Sequence, residues 1–176
     1  MPERILGIDP GTHKMGYGIV DARGPDYYHL ASGALIASRS EWLGGRLWKL
    51  LQDLLNLIDE YKPTALAVEQ PFVPRGQTDS PRSNVASALA IGQAEALVLI
   101  AAAARDLPLE RYAPSQVKKA VSNDGRGSKL QIQEMVRLIL RLAEPPQPVD
   151  ATDALAVAIC HLQSQHVKTL IEAGRN

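Results

Sequence analysis

Four acidic residues stand where an acid is hard to excuse. Asp9 closes the apolar run Ile5-Leu6-Gly7-Ile8, and Glu69 closes Ala65-Leu66-Ala67-Val68. Asp150 and Asp153 stand three apart at the predicted start of a helix, so they share one face of it. Taken alone, each acid has an ordinary explanation, because a strand-end Asp often serves a turn and Asp150 could cap its helix. Taken together they occupy matching positions, since strand ends and helix starts at one edge of an open α/β sheet converge on a single crevice. Carboxylates brought together there repel strongly unless a divalent cation intervenes, and hard oxygen donors suit Mg²⁺ or Mn²⁺. Two such ions about 4 Å apart serve in-line phosphodiester hydrolysis. The spacing does not fit an EF-hand, and no His/Cys cluster suggests zinc. His161 returns to nearly the same helix face as Asp150 but lies about 16 Å further along the axis, so it and Cys160 are assigned structural roles. His13 is read as solvated.

The elements that must carry these acids follow from periodicity. Residues 5–9, 16–20 and 27–37 read as three strands of a meander. Residues 41–60 form an amphipathic helix stopped by Pro63, and 64–69 a further buried strand. A Pro-, Gly- and Ser-rich loop is expected at 71–83, longer than a compact domain usually tolerates without a use. Residues 84–104 read as a helix apolar nearly all round, which asks for partners on most faces and points to a second subunit on one of them. A short strand at 109–112, a helix at 115–121, a flexible Gly-containing run, a helix capped by Ser128 and a final helix from about 149 to 166 complete the chain. The expectation is one α/β domain over 1–166 with a flexible polar tail over 167–176.

The 176 residues are 45% hydrophobic and 22% charged with net charge zero, so no overall basic field advertises a polyanion. The region from Ala101 to Arg141 is locally basic all the same. Lys118, Lys119, Arg126 and Lys129 flank the Gly run and are candidate phosphate contacts, with Arg75 and Arg82 of the long loop as weaker ones. Phe72, the only phenylalanine, either covers the core or stacks on a base. A single cysteine excludes an intrachain disulfide and fits a reducing compartment. With no leader or membrane-spanning run, a soluble cytoplasmic protein is expected.

The runs Gly7-Ile8-Asp9-Pro10-Gly11, Val68-Glu69-Gln70, Leu89-Ala90-Ile91-Gly92-Gln93-Ala94 and Asp150-Ala151-Thr152-Asp153-Ala154-Leu155-Ala156 resemble, in the same order, those of the bacterial Holliday-junction resolvase family RuvC. The resemblance implies an α/β, RNase H-like fold: a five-stranded mixed sheet flanked by helices. It implies a homodimer that cuts two strands of a four-way DNA junction symmetrically, leaving 5′-phosphate and 3′-hydroxyl ends, alongside a RuvA–RuvB branch-migration complex. Asp9, Glu69 and Asp153 match the family's metal ligands, and Asp150 a fourth position where some members have His. Phe72 matches an aromatic that stacks on an unpaired base. Asn84 and Ser87 fall in a DNA-contacting helix start, and Lys118 and Lys129 match basic residues beside the scissile phosphate.

This chain departs from the pattern in its longer loop between Phe72 and Asn84, and in Glu95 where the family usually has Arg. Three rivals stand beside this reading. One is an actin-like or sugar-kinase-like ATPase lobe, whose phosphate loop Asp9-Pro10-Gly11-Thr12 superficially matches. The others are a related nuclease acting on structured RNA and a junction-binding module without catalysis.

Overall fold

The structure is a computed structural model describing residues 3–70, 81–122 and 127–174, with only the backbone described for 81–87. Three antiparallel strands, β1 (Glu3–Asp9), β2 (Lys14–Arg23) and β3 (Asp26–Ile36), lead through helix α1 (Leu43–Tyr61) to β4 (Ala65–Glu69), which pairs parallel to β1. Helix α2 (Pro81–Ala103) then leads to β5 (Leu109–Tyr112), parallel to β4. Helices α3 (Pro114–Ser122), α4 (Lys129–Ile139) and α5 (Val149–Ala173) follow. The strand order β3-β2-β1-β4-β5 puts β1 at the centre of a mixed five-stranded sheet, as expected.

Each face of the sheet has its own core, and the period-2 geometry of the strands sorts residues between them. Leu6, Ile8, Leu66 and Val68 face α1 and α2. Ile5, Ala65 and Ala67 face α3, α4 and α5. Small residues dominate the second face so that α5 can lie almost on the backbone. A Cβ on Gly7 would fall 2.1 Å from the carbonyl oxygen of Ala154, and one on Gly16 would fall 2.1 Å from that of Asp150. From Ala151 to Leu162 every residue of α5 except Asp153 is buried.

Strand β2 runs over Lys14–Arg23 where 16–20 was expected, and two helix ends differ by three residues or more. Helix α2 begins at Pro81, since proline is well suited to the first helical position and does not oppose the start. Helix α5 continues to Ala173, about two turns beyond the expected end. Its last turns keep the helical period in Val167, Leu170 and Ile171, which are exposed. Of the expected loop at 71–83, residues 71–80 lie outside the described residues. Among the described residues, no helix is long and apolar enough to cross a membrane.

Candidate active site

Asp9 and Glu69 end adjacent parallel strands, one step past the Ile8–Val68 register pair. By alternation both share the face of the small residues, the face covered by α5. The first turns of α5 bring Asp153 to the same place. These three acids, with Lys118 from α3 and Lys129 from the start of α4, line a cleft of about 570 Å³ floored by Val117, Ile132 and Ala156. Lys129 is placed by a capping box: Ser128 Oγ accepts from the Gln131 amide at 3.3 Å, and Gln131 Oε1 accepts from the Ser128 amide at 2.7 Å. Lys118 is held by the burial of its neighbours Val117 and Val121.

The cleft is electrostatically overloaded with negative charge. Burial first, then repulsion from Asp153, Glu69 and Asp150, pushes the Asp9 carboxyl up from 3.8 to about 7. Glu69 is raised by burial and by Asp153, against the pull of Lys118 and Lys129. Asp153 is raised by burial and by Asp150, against the same two lysines. Such a cluster of hard oxygen donors fits a divalent cation, which relieves the repulsion that raises their pKa values. Among the described residues, no three acidic, His or Cys side chains stand gathered as a finished ligand set.

Asp150 does not line this cleft; its carboxylate is paired with Lys14, the first residue of β2. Lys14 was not among the expected site residues, because nothing in its local sequence says where a flexible four-carbon stem will land. Lys119 parts from Lys118 and lines a separate groove between α3 and α5 with Gln116, Cys160 and Ser164. The arginines of the basic region are largely consumed in ion pairs. Arg105 binds Asp59 at 2.6 Å, Arg137 binds Glu134 at 2.7 Å and Arg141 binds Asp26 at 2.8 Å. Glu95, the departure from the family's Arg, is largely buried and binds Arg111 of β5 at 2.7 Å. Among the described residues no acid forms a salt bridge with Lys118, Lys119 or Lys129.

His161 is in the core, its Nδ1 3.0 Å from the Tyr112 hydroxyl with the rings edge-on. Cys160 is buried beside it, and burial pushes its thiol up to about 11. His13 is bonded rather than free. Its Nδ1 lies 2.7 Å from the Ala37 carbonyl, and Arg39 Nε donates to its Nε2 at 2.9 Å. Phe72, Arg75 and Arg126 lie outside the described residues. Arg82, Asn84 and Ser87 fall in the first turns of α2, where only the backbone is described.

A sheet ordered β3-β2-β1-β4-β5, with acids ending its two central parallel strands under a helix that brings a third, defines a nuclease of the RNase H-like class. The family described as "Crossover junction endodeoxyribonuclease RuvC" matches residues 5–161. The chain belongs to the RuvC family. It is 44% identical over 171 residues to the crossover junction endodeoxyribonuclease RuvC of Dehalococcoides mccartyi, covering 97% of this chain and 98% of that protein. It is 46% identical over 156 residues to the RuvC of Heliobacterium modesticaldum, covering 89% and 91%. The solved structure of T. thermophilus RuvC in complex with Holliday junction substrate superposes with a TM-score of 0.85 at 32% identity, covering 95% of this chain and 97% of that one.

Proposed function

We propose that this chain is a divalent-metal-dependent endodeoxyribonuclease that resolves four-way DNA junctions by symmetric hydrolysis of two strands, leaving 5′-phosphate and 3′-hydroxyl ends. The observation that carries the reading is the cleft itself, where three half-buried, mutually repelling acids from β1, β4 and α5 face two lysines. The relatives' shared name and the junction bound to T. thermophilus RuvC support the substrate.

Asp9, Glu69 and Asp153, with Asp150 as a fourth ligand, would hold two Mg²⁺ or Mn²⁺ ions. When bound, such ions supply Lewis acidity to the phosphodiester and acidify a water. The chain's own part is placement and charge. Asp9 and Glu69 are fixed by the sheet, so the phosphate's position relative to them is set before DNA arrives. Lys118 and Lys129 offset the negative charge that builds on the phosphoryl oxygens and the leaving 3′ oxygen. Phe72, Arg75, Arg82, Asn84, Ser87, Lys119 and Arg126 are assigned to DNA contacts away from the reacting atoms.

Two such sites in a homodimer would fit a branched substrate better than a straight duplex. Helix α2 is the proposed interface, because Leu89, Leu99 and Ile100 remain exposed on it. A RuvA–RuvB complex in the cytoplasm is the proposed setting.

The test is cleavage of a mobile four-way junction and a linear duplex, with each metal, by wild type and Asp9→Asn. Wild type is expected to cut the junction selectively, and Asp9→Asn to bind it without cutting. Equal cutting of both substrates overturns junction selectivity, and undiminished cutting by Asp9→Asn overturns the assignment of the site.

A further inference from the structure

Lys14 and Asp150 form an ion pair in which each side chain keeps about a third of its exposure, 34% and 29%. The backbone around them is held closely on two sides. Gly16 lets the first turn of α5 press its Asp150 carbonyl against β2. On the other side the turn before β2 is packed so tightly that a Cβ on Gly11 would fall 2.2 Å from the Lys14 carbonyl oxygen. The stem of Lys14 therefore starts from a fixed point beside the first turn of α5, and its ammonium is delivered to Asp150. Asp9, Glu69 and Asp153 line the cleft, and neither Asp150 nor Lys14 does. The acid set thus has two parts: three carboxylates sharing a cavity, and a fourth already matched with a cation belonging to the chain.

We propose that Lys14 is a positioning residue whose ammonium stands in for the second metal ion. It tethers Asp150 away from the other three acids until a divalent cation displaces it. The proposal rests on the metal-dependent reading given above. The first ion then meets three unpaired carboxylates, whereas the second must break an ion pair to recruit its ligand. Loading is stepwise, and the second site fills at a higher metal concentration than the first. The displaced ammonium moves into solvent as the second divalent ion takes its place beside Asp150, and only then do two dications match the four carboxylates.

The experiment titrates metal-free protein with Mn²⁺, following free ion by electron paramagnetic resonance, for wild type, Lys14→Gln, Lys14→Arg and Asp150→Asn. Wild type is expected to bind in two steps about tenfold or more apart, as removal of a charge pair at partial burial implies. Lys14→Gln should tighten the second step by about tenfold while moving the first by less than about threefold. Lys14→Arg should keep the wild-type gap, and Asp150→Asn should lose the second step.

An unchanged or weakened second step in Lys14→Gln overturns the proposal while leaving the metal site standing. Absence of any Mn²⁺ uptake by wild type overturns the metal reading and this inference with it. A second measurement does not depend on how Lys14→Gln folds. The side-chain ¹⁵N resonance of Lys14, identified by its loss in Lys14→Arg, should ignore the first equivalent of Mg²⁺ and change with the second. A resonance that moves with the first equivalent, or never moves, overturns the tether.

Discussion

Asp9 is held where an ionised carboxylate is unwelcome, its pKa pushed from 3.8 to about 7 by burial and by its acidic neighbours. Such a group binds its proton more tightly in the folded chain than in the unfolded one. Between about pH 4 and pH 7 the metal-free fold therefore loses stability as pH rises. The span from 3.8 to about 7 caps that loss at roughly 4 kcal/mol. Metal-free Asp9→Asn should then melt higher than wild type at pH 7.5, with the difference shrinking toward pH 4. Excess Mg²⁺ should erase or reverse the gain, because a bound ion stabilises only the fold with the intact ligand. Thermal melts at several pH values check this, and a lower melting temperature for metal-free Asp9→Asn at pH 7.5 counts against it.

At this scale the acids were legible because each ends an apolar run or opens a helix, where pattern alone makes a charge conspicuous. Lys14 and the Glu95–Arg111 pair were not, since the partners of long, flexible side chains are decided by tertiary packing that leaves no local mark.

The element on which the site depends is α5, seated on a bed of small residues. Gly7→Ala would put a methyl group 2.1 Å from the Ala154 carbonyl and 2.7 Å from the Ala158 amide, both rigid backbone atoms. The helix has to move outward, which we expect to cost about 3 kcal/mol in a urea titration. It carries Asp150 and Asp153 with it, so junction cleavage should fall about a hundredfold for a shift near 1 Å. Junction binding, which spreads over many contacts, should change far less. Retained stability together with full activity would show that α5 is not held by this contact. The alternation of small and large residues along β1 and β4 was on view in the sequence and read only as apolar strand. Which face the acids share follows from that alternation alone. The starts and ends of α2 and α5 were less legible, because Pro81 reads as loop by type and the end of α5 as a fraying tail.

The molecule as a whole is neutral, yet its charges are sorted. Arginines of the basic region pair with acids outside the cleft, while the lysines of the cleft are left facing the carboxylates. A net charge of zero conceals this separation, which is why composition spoke so weakly about DNA. The exposed apolar residues of α2 are where the proposed dimer is tested. Ile100 is 52% exposed, so Ile100→Glu should fold normally, within about 0.5 kcal/mol of wild type. It should sediment as a monomer and cut the two junction strands independently, whereas wild type is expected to sediment as a dimer. A dimeric Ile100→Glu would move the interface off α2.

The burial of α5 carries a last consequence, for how the enzyme fails. The helix that presents two of the acids also holds the longest run of buried residues among those described, Ala154 to Leu162, so its opening is expected to be the global opening of the chain. Loss of activity on heating and loss of circular dichroism should superimpose, and amides near Asp153 should exchange with deuterium only as slowly as those of β1. Early loss of activity ahead of unfolding would contradict this. Heat is then expected to abolish junction binding and junction cleavage together, leaving no long-lived form that grips a junction without cutting it.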